Sequence, residues 1–164
     1  MAERIIFHVD ANSAFLSWSA AYRVKVLGEA EDLRNVPSVV AGDKESRHSI
    51  ILAKSGPAKK YGIQTGEPLF QALEKCPDLR IVQPDYPLYV ECSRHFVAML
   101  KEFSPCVQQY SIDEAWVDMT GTERLWGTPR LAAEKMRQRI NEELGFTVNI
   151  GIGDCKILAK MASD

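Results

Sequence analysis

"YSIDEAWVDM", residues 110–119, places two acids side by side in a pattern otherwise typical of a β-strand. Acidic residues are depleted in strands, and consecutive strand residues point to opposite faces. We therefore expect Asp113 and Glu114 where two strands turn, because a turn lets both side chains lean the same way. Asp118 lies further along the second strand, where alternation points it outward, and we interpret it as structural.

The segments around this hairpin predict a sheet with two helices. Apolar runs and helical periodicity predict, in order, strand 4–10, helix 86–103, strands 106–112 and 114–119, helix 129–144 and strand 146–152. That order is the ferredoxin-like split β-α-β arrangement, an α+β fold whose antiparallel sheet carries both helices on one face. We expect its first strand beside the strand that follows the first helix.

Residues 19–77 interrupt this arrangement and predict a small α/β insertion. Two short strand patterns, at 38–41 and 49–53, together predict a hairpin, and two short helix patterns follow at 55–62 and 68–76. The whole sequence ends inside a further helix pattern without a stop signal, which predicts a fragment of a longer protein.

Asp10 ends the first strand, so the fold brings it near the hairpin acids. Three converging carboxylates repel one another by several kcal/mol even at an effective dielectric of ~20, and they persist as anions only with cations between them. Oxygen ligands without histidine or cysteine select Mg²⁺, and two such ions form a clamp for in-line phosphoryl transfer. The alternatives are a solvated Asp-Glu turn and an Asp10 that only ends a strand or caps a helix.

Composition is that of an ordinary globular protein: 164 residues, 46% hydrophobic, 26% charged and a net charge of −2. The absence of a basic excess counts mildly against DNA binding by this chain alone. Its four cysteines lie far apart and form no zinc motif, which favours reduced thiols. The sequence has no signal peptide and no apolar run long enough to span a membrane. We therefore expect a protein of the bacterial cytoplasm that has no membrane partner.

Four motifs resemble those of the Y-family DNA polymerases, the translesion-synthesis enzymes. They are "HVDANSAFLSWSA" (8–20), "AKKYGIQTGEPLFQA" (58–72), "YSIDEAWVDMT" (110–120) and "VNIGIGDCKILAKMASD" (148–164), in family order across the chain. The resemblance implies a catalytic palm at 1–18 and 78–164 and fingers at 19–77. The thumb and little finger of the family would lie outside this sequence.

By the same resemblance, Asp10 and Asp113 would bridge two Mg²⁺ ions, for which Mn²⁺ can substitute. Glu114 would bind the ion that activates the primer 3′-hydroxyl, and the carbonyl of Ala11 would complete the other ion. The reaction implied is template-directed transfer of a nucleotide from a dNTP to the primer, with low fidelity and bypass of damaged bases. The implied partners are primer–template DNA, dNTP and a sliding clamp contacted through regions outside this sequence.

The resemblance also implies a triphosphate site. The backbone N–H groups of Ser13, Ala14 and Phe15 would cradle the phosphates at a helix N-terminus, and Lys160 would reach them from the palm. The Phe15 ring would act as the steric gate against ribose, although an aromatic residue in the first turn of an amphipathic helix is more often part of the core. Likewise, lysine on an amphipathic helix is usually solvated.

The fingers segment departs from the family. Gly56 and Lys59 stand where the family commonly has tyrosine and arginine for the β- and γ-phosphates, which predicts weaker triphosphate binding unless Lys54 compensates. Two rival functions follow: an inactive regulatory or scaffold homologue, and a nucleotidyl cyclase with the same palm topology. A cyclase would need no fingers insertion. The polar loop 42–49 carries basic residues that we expect to face the template.

Overall fold

The structure is a computed structural model that describes residues 3–46 and 48–164. The start of the predicted palm at residues 1–2 and the basic loop residue Arg47 lie outside the described residues. In this part of the chain, no helix is both long and apolar enough to cross a lipid bilayer.

The described residues contain seven strands and seven α-helices. The strands are β1 (Ile6–Ala11), β2 (Ser38–Ala41), β3 (Ile51–Lys54), β4 (Arg80–Val82), β5 (Val107–Gln109), β6 (Glu114–Asp118) and β7 (Val148–Gly153). The helices are α1 (Ala14–Lys25), α2 (Gly56–Lys59), α3 (Leu69–Lys75), α4 (Tyr86–Phe103), α5 (Glu123–Trp126), α6 (Pro129–Arg139) and α7 (Lys156–Ser163), with a 3-10 turn at Leu33–Asn35 and a π-turn at Ile140–Leu144.

Local signals account for the ends of the long helices. Asp85 precedes α4, and its Oδ1 accepts a hydrogen bond from the Leu88 N–H at 3.1 Å. Thr128 precedes α6 and accepts one from the Leu131 N–H at 3.3 Å, with Pro129 in the first turn. Gly145 follows the π-turn at φ 83°, a conformation in which glycine meets no steric penalty.

The chain forms two compact units. One consists of the residues up to Asn12 together with Val90–Asp164, and the other of Ser13–Tyr89, so helix α4 belongs partly to each. The palm (1–18 and 78–164) and fingers (19–77) limits expected from the motifs differ from these limits, and that assignment stays a prediction.

The first unit contains a four-stranded sheet in the order β5-β6-β1-β7, with every pair antiparallel. This order is the ferredoxin-like split β-α-β arrangement predicted from sequence, and it confirms the α+β fold class. The expected neighbour of the first strand is wrong, however. Strand β1 pairs with β6 and β7, whereas β5, the strand after α4, pairs only with β6, because β6 lies between the two parallel strands.

The two faces of this sheet differ in character. One is apolar, with Phe7, Val9, Ala115 and Val117 all fully buried. The opposite face carries helix α7. A Cβ at Gly153 would lie 2.7 Å from Ala159 N, and one at Gly151 would overlap the same residue's carbonyl. Helix α7 therefore packs directly on the backbone of β7.

The second unit has a three-stranded sheet in the order β3-β2-β4. Strands β2 and β3 are antiparallel, which confirms the predicted hairpin, and β4 adds in parallel to β2. Leu16 and Ala20 of α1 share one buried cluster with Val40 of the sheet. A second cluster joins the neighbouring Val39 to α2 and α3, so helices cover both faces of this small α/β unit.

Candidate active site

Strand register brings two of the predicted carboxylates together. Asp10 on β1 lies directly opposite Glu114 on β6, and residues paired in this way share one face of the sheet. The Ala11 N–H continues the pairing by donating to the Asp113 carbonyl at 2.9 Å. Glu114 is thus the first residue of β6 and not part of the turn. Its pairing with β1 directs its side chain toward Asp10.

Asp113 lies in the segment that joins β5 to β6. Its Oδ1 accepts a hydrogen bond from the Ser111 hydroxyl at 2.7 Å, which holds the side chain in place. Its negative charge contributes to the raised pKa of Asp10. The structure therefore brings Asp10 and Glu114 together at one end of the β1–β6 pair, whereas Asp113, the residue before Glu114, lies outside the group of ligand atoms found within 4.8 Å of one another.

The pKa of Asp10 is strongly raised in this arrangement. Burial raises the pKa of its carboxyl from 3.8 to about 6, and the charges of Asp113 and Glu114 act in the same direction. Lys160 opposes them only in part. A carboxylate in this position gains from any added cation.

Glu114 is held by Lys160 of α7. The Lys160 ammonium donates to Glu114 Oε2 at 2.8 Å, and the glutamate side chain is 11% exposed. Burial would raise the pKa of Glu114, but the hydrogen bond and charge of Lys160 outweigh it and lower that pKa. The hydrogen bond that Lys160 donates to Glu114 in turn raises the pKa of Lys160. This places Lys160 at the carboxylates, and its expected reach to the triphosphate stays a prediction.

His8 belongs to this site, although the oxygen-only ligand set predicted from sequence omitted it. Its side chain is completely buried, and its Nε2 lies 3.2 Å from Glu114 Oε2. Burial lowers the pKa of His8, and the nearby Lys160 lowers it further. The signal was present in the sequence: His8 precedes Asp10 by two residues in a strand, so both must share a face.

The donor set fits a divalent cation. Single ligand atoms of His8, Asp10 and Glu114 all lie within 4.8 Å of one another, and residues 3–46 and 48–164 contain no second group of this kind. Carboxylate oxygens suit Mg²⁺ and Mn²⁺. Burial is the main cause of the raised pKa of Asp10, and the charges of Asp113 and Glu114 raise it further.

In the second unit, helix α1 begins after a residue with an unusual backbone conformation, and the phosphate site expected there stays a prediction. Ser13 is the one non-glycine among the described residues with positive φ, at 44°, and its carbonyl accepts the first helical hydrogen bond, from the Ser17 N–H at 2.9 Å. The N–H groups of Ala14 and Phe15 therefore have no acceptor within their own helix. They are free of helical bonding and available to a ligand.

Phe15 is fixed by aromatic neighbours of its own unit. Its ring stacks on Tyr89 at 4.4 Å between centroids and 9° between planes, and Tyr86 contacts it edge-on at 6.1 Å. The residue is only partly buried and packs beside the cluster formed by α1 and the sheet. It is therefore a rigid ring at the edge of a core and not fully enclosed within it.

Lys59 is exposed on α2, a single turn capped by the Ser55 hydroxyl, which accepts from the Ala58 N–H at 3.1 Å. A Cβ at Gly56 would meet nothing within 4 Å, so a larger side chain would fit there. The Lys54 ammonium donates to the Ile63 carbonyl at 2.7 Å, and compensation by Lys54 stays a prediction.

A split β-α-β sheet with opposed carboxylates on its two central strands is the arrangement of a palm domain, the class to which nucleotidyl-transferring enzymes such as polymerases belong. Comparison with known proteins narrows this class. The model of the impB/mucB/samB family matches residues 9–164, and the chain belongs to that family.

Curated relatives and solved structures agree with this assignment. The chain is 49% identical over 161 residues to a DNA polymerase IV of Clostridium acetobutylicum, covering 98% of this chain and 40% of the relative. It is 38% identical to DNA polymerase IV 2 of Bacillus subtilis, covering 100% and 38%. DinB from Sulfolobus solfataricus superposes with a TM-score of 0.80 at 26% identity, over 98% of this chain and 45% of DinB. An insertion ternary complex of Dbh DNA polymerase gives a TM-score of 0.81 at 25% identity, again over 98% and 45%.

These matches confirm the resemblance to Y-family polymerases drawn from the motifs. The chain spans about 40% of the length of the curated relatives it matches.

Proposed function

We propose that this chain supplies the nucleotidyl-transfer centre of a template-directed, low-fidelity DNA polymerase that copies damaged templates. The observation that carries the proposal is the direct cross-strand pairing of Asp10 with Glu114 beside Asp113. Its partners are primer–template DNA and dNTP. A sliding clamp, contacted through regions outside this sequence, and a cytoplasmic location are part of the same proposal.

The three acids hold two divalent ions, Mg²⁺ by preference with Mn²⁺ as a substitute. Asp10 and Asp113 would be ligands of both ions, with Glu114 as a further ligand of one and the Ala11 carbonyl as a further ligand of the other. Such ions lower the pKa of the attacking hydroxyl and neutralise charge on the transferred phosphate. What the chain itself provides is a rigid frame, because Asp10 and Glu114 are fixed by strand pairing and not by a loop.

In this proposal Lys160 has a second role, which is to bind the triphosphate. Its side chain is 38% exposed and long, so its ammonium can leave Glu114 and reach the triphosphate. The N–H groups of Ser13, Ala14 and Phe15 bind phosphate oxygens, and the fixed Phe15 ring excludes a ribose 2′-hydroxyl. Lys59 contributes a point charge to the phosphates, without the bidentate geometry of arginine.

Neither of the two rival functions is favoured. A nucleotidyl cyclase would not require the separate α/β unit of residues 13–89, which has its own sheet and core. A scaffold homologue without chemistry remains compatible with Gly56, which offers no hydroxyl to a triphosphate. The retained carboxylates favour the polymerase.

Primer extension by a chimera tests the proposal. Residues 1–164 would replace the matching segment of the Clostridium acetobutylicum relative, which supplies the remaining length. We expect activity that Asp113→Ala abolishes and that Asp118→Asn, a change on the same face of β6, leaves largely intact. An active Asp113→Ala chimera, or an inactive parent chimera that still binds DNA, would overturn the proposal.

Two further measurements test its parts. Lys59→Ala should raise the Michaelis constant for dNTP, and an unchanged constant would remove Lys59 from the triphosphate site. The isolated chain should extend primers poorly at physiological salt, because its net charge of −2 gives little attraction for DNA. Robust extension by the isolated chain would contradict that expectation.

A further inference from the structure

We propose that His8 is a metal ligand, and that with Asp10 and Glu114 it forms a site for transition-metal ions of the Zn²⁺ and Co²⁺ class. The decisive atom is an imidazole nitrogen. The Nε2 atom of His8 is buried, and its 3.2 Å contact with Glu114 Oε2 falls short of hydrogen-bond geometry. A buried polar atom without a partner is costly, and a metal ion would satisfy it.

The distances suit a shared ion. Ligand atoms bound about 2.1 Å from one metal are separated by roughly 3.0–3.4 Å at tetrahedral or octahedral angles. The 3.2 Å between His8 Nε2 and Glu114 Oε2 falls in that range. Asp10 offers an oxygen within 4.8 Å of both atoms, close enough for a small side-chain adjustment to complete the set.

The other imidazole nitrogen is already arranged as ligating histidines require. The Ser163 hydroxyl donates its one hydrogen to the Lys160 carbonyl at 2.8 Å. When the hydroxyl hydrogen is used in this way, Ser163 accepts at its 2.6 Å contact with His8 Nδ1, and Nδ1 then carries the proton. That tautomer leaves the lone pair on Nε2, and the hydrogen bond at Nδ1 fixes the ring orientation.

One nitrogen and two carboxylate oxygens define the class of ion. Mg²⁺ prefers an all-oxygen set, whereas imidazole suits zinc and the later first-row metals, which also bind more tightly on the Irving–Williams order. An ion seated here would take Glu114 from Lys160, and the partly exposed lysine side chain can withdraw into solvent. Such an ion would compete with the catalytic Mg²⁺, so micromolar Zn²⁺ should inhibit where Mg²⁺ activates.

The His8 site shares Asp10 and Glu114 with the proposed function and rests on it to that extent, but it can fail while that function stands. Co²⁺ is the probe for the experiment, added to the untagged chain and followed by proton NMR. Binding through Nε2 leaves the Nδ1 proton in place, and the paramagnetic ion should shift that exchangeable proton far downfield. Its buried hydrogen bond to Ser163 should slow its exchange with water.

The sequence has three histidines, and two of them, His48 and His95, are exposed. Changing both to glutamine leaves His8 as the only possible source of the shifted signal and does not disturb the core. We expect the signal to persist in that double variant and to vanish in His8→Phe. We also expect His8→Phe to lose at least ~10-fold in Co²⁺ affinity, with Mg²⁺ affinity changed by less than about twofold.

The possible outcomes separate the two proposals. Co²⁺ binding without a shifted imidazole proton overturns the His8 proposal and leaves the carboxylate site standing. Binding of neither Co²⁺ nor Mg²⁺ overturns it and also counts against the metal roles in the proposed function, which primer extension tests separately. If His8→Phe does not fold, the double variant still settles the question by itself.

Discussion

The charge cluster makes a specific prediction about stability: Asp10→Asn should stabilise the protein at neutral pH when divalent ions are removed. The pKa of Asp10 rises from 3.8 to about 6 on folding. Since one pKa unit corresponds to about 1.4 kcal/mol, ionised Asp10 costs the folded state up to roughly 3 kcal/mol. Solvent screening and the imperfect match of asparagine reduce the expected gain to about 1–2 kcal/mol.

The pH dependence gives the prediction its sign. Between about pH 4 and 6 the folded protein holds more protons at Asp10 than the unfolded chain, so this group makes stability fall as pH rises. The advantage of Asp10→Asn should therefore be full above pH 6 and disappear near pH 4, where Asp10 is neutral in the folded state. The effect is opposite to that of an ordinary salt-bridged aspartate.

Urea denaturation with EDTA at pH 7.5 and pH 4.5 measures this difference. Asp118→Asn is the matched control, because Asp118 lies on the same face of β6 but accepts a hydrogen bond from the Thr120 N–H at 3.0 Å. That control should be neutral or destabilising at both pH values. If Asp10→Asn is no more stable than the parent at pH 7.5, burial and repulsion do not destabilise the ionised Asp10, and the three carboxylates need no cation between them.

Three further changes test other parts of the structure. Phe15→Ala should raise ribonucleotide incorporation by the chimera about 100-fold or more, since the lost ring discrimination is worth a few kcal/mol, and an unchanged dNTP-to-rNTP ratio would show that Phe15 is only a core residue. Gly56→Tyr should lower the Michaelis constant for dNTP without a change in melting temperature, because its Cβ meets nothing within 4 Å; a constant equal to the parent's would mean that the tyrosine position is not near the triphosphate. Gly151→Ala should destabilise the protein by about 1–3 kcal/mol in urea denaturation, because its Cβ would overlap the Ala159 carbonyl, and Gly56→Ala serves as the unhindered control.

Much of the fold was readable because its elements carry strong local signals. Helix α4 begins and ends at the predicted residues 86 and 103, and strand β2 at 38 and 41. Helix α5 was missed, because a single turn such as Glu123–Trp126 lacks enough residues to show a helical period. Local sequence patterns therefore predict long helices well, and also strands that are rich in β-branched residues.

The site could be predicted only in part from the sequence, because the register of a strand depends on the strand with which it pairs. Asp10, Asp113 and Glu114 could be placed at neighbouring strand ends from topology alone. That Asp10 lies opposite Glu114, and that His8 enters the cluster, depends on a pairing the sequence does not state. The expected neighbour of β1 was wrong for the same reason: several pairings satisfy one pattern, and tertiary packing selects among them.

Two glycines of β7 let helix α7 approach the sheet closely enough to place Lys160 beside Glu114. His8 pairs with Gly151, and Ile6 with Gly153, so both glycines lie on the face that carries Asp10. Any side chain at either position would hold α7 away from the sheet, and the Lys160 ammonium would no longer lie 2.8 Å from Glu114. The protein thus provides its own cation for a cluster that cannot remain fully ionised without one. That cation sits on a partly exposed, flexible stem, so it can yield its place to a metal ion without unfolding the sheet that holds the acids.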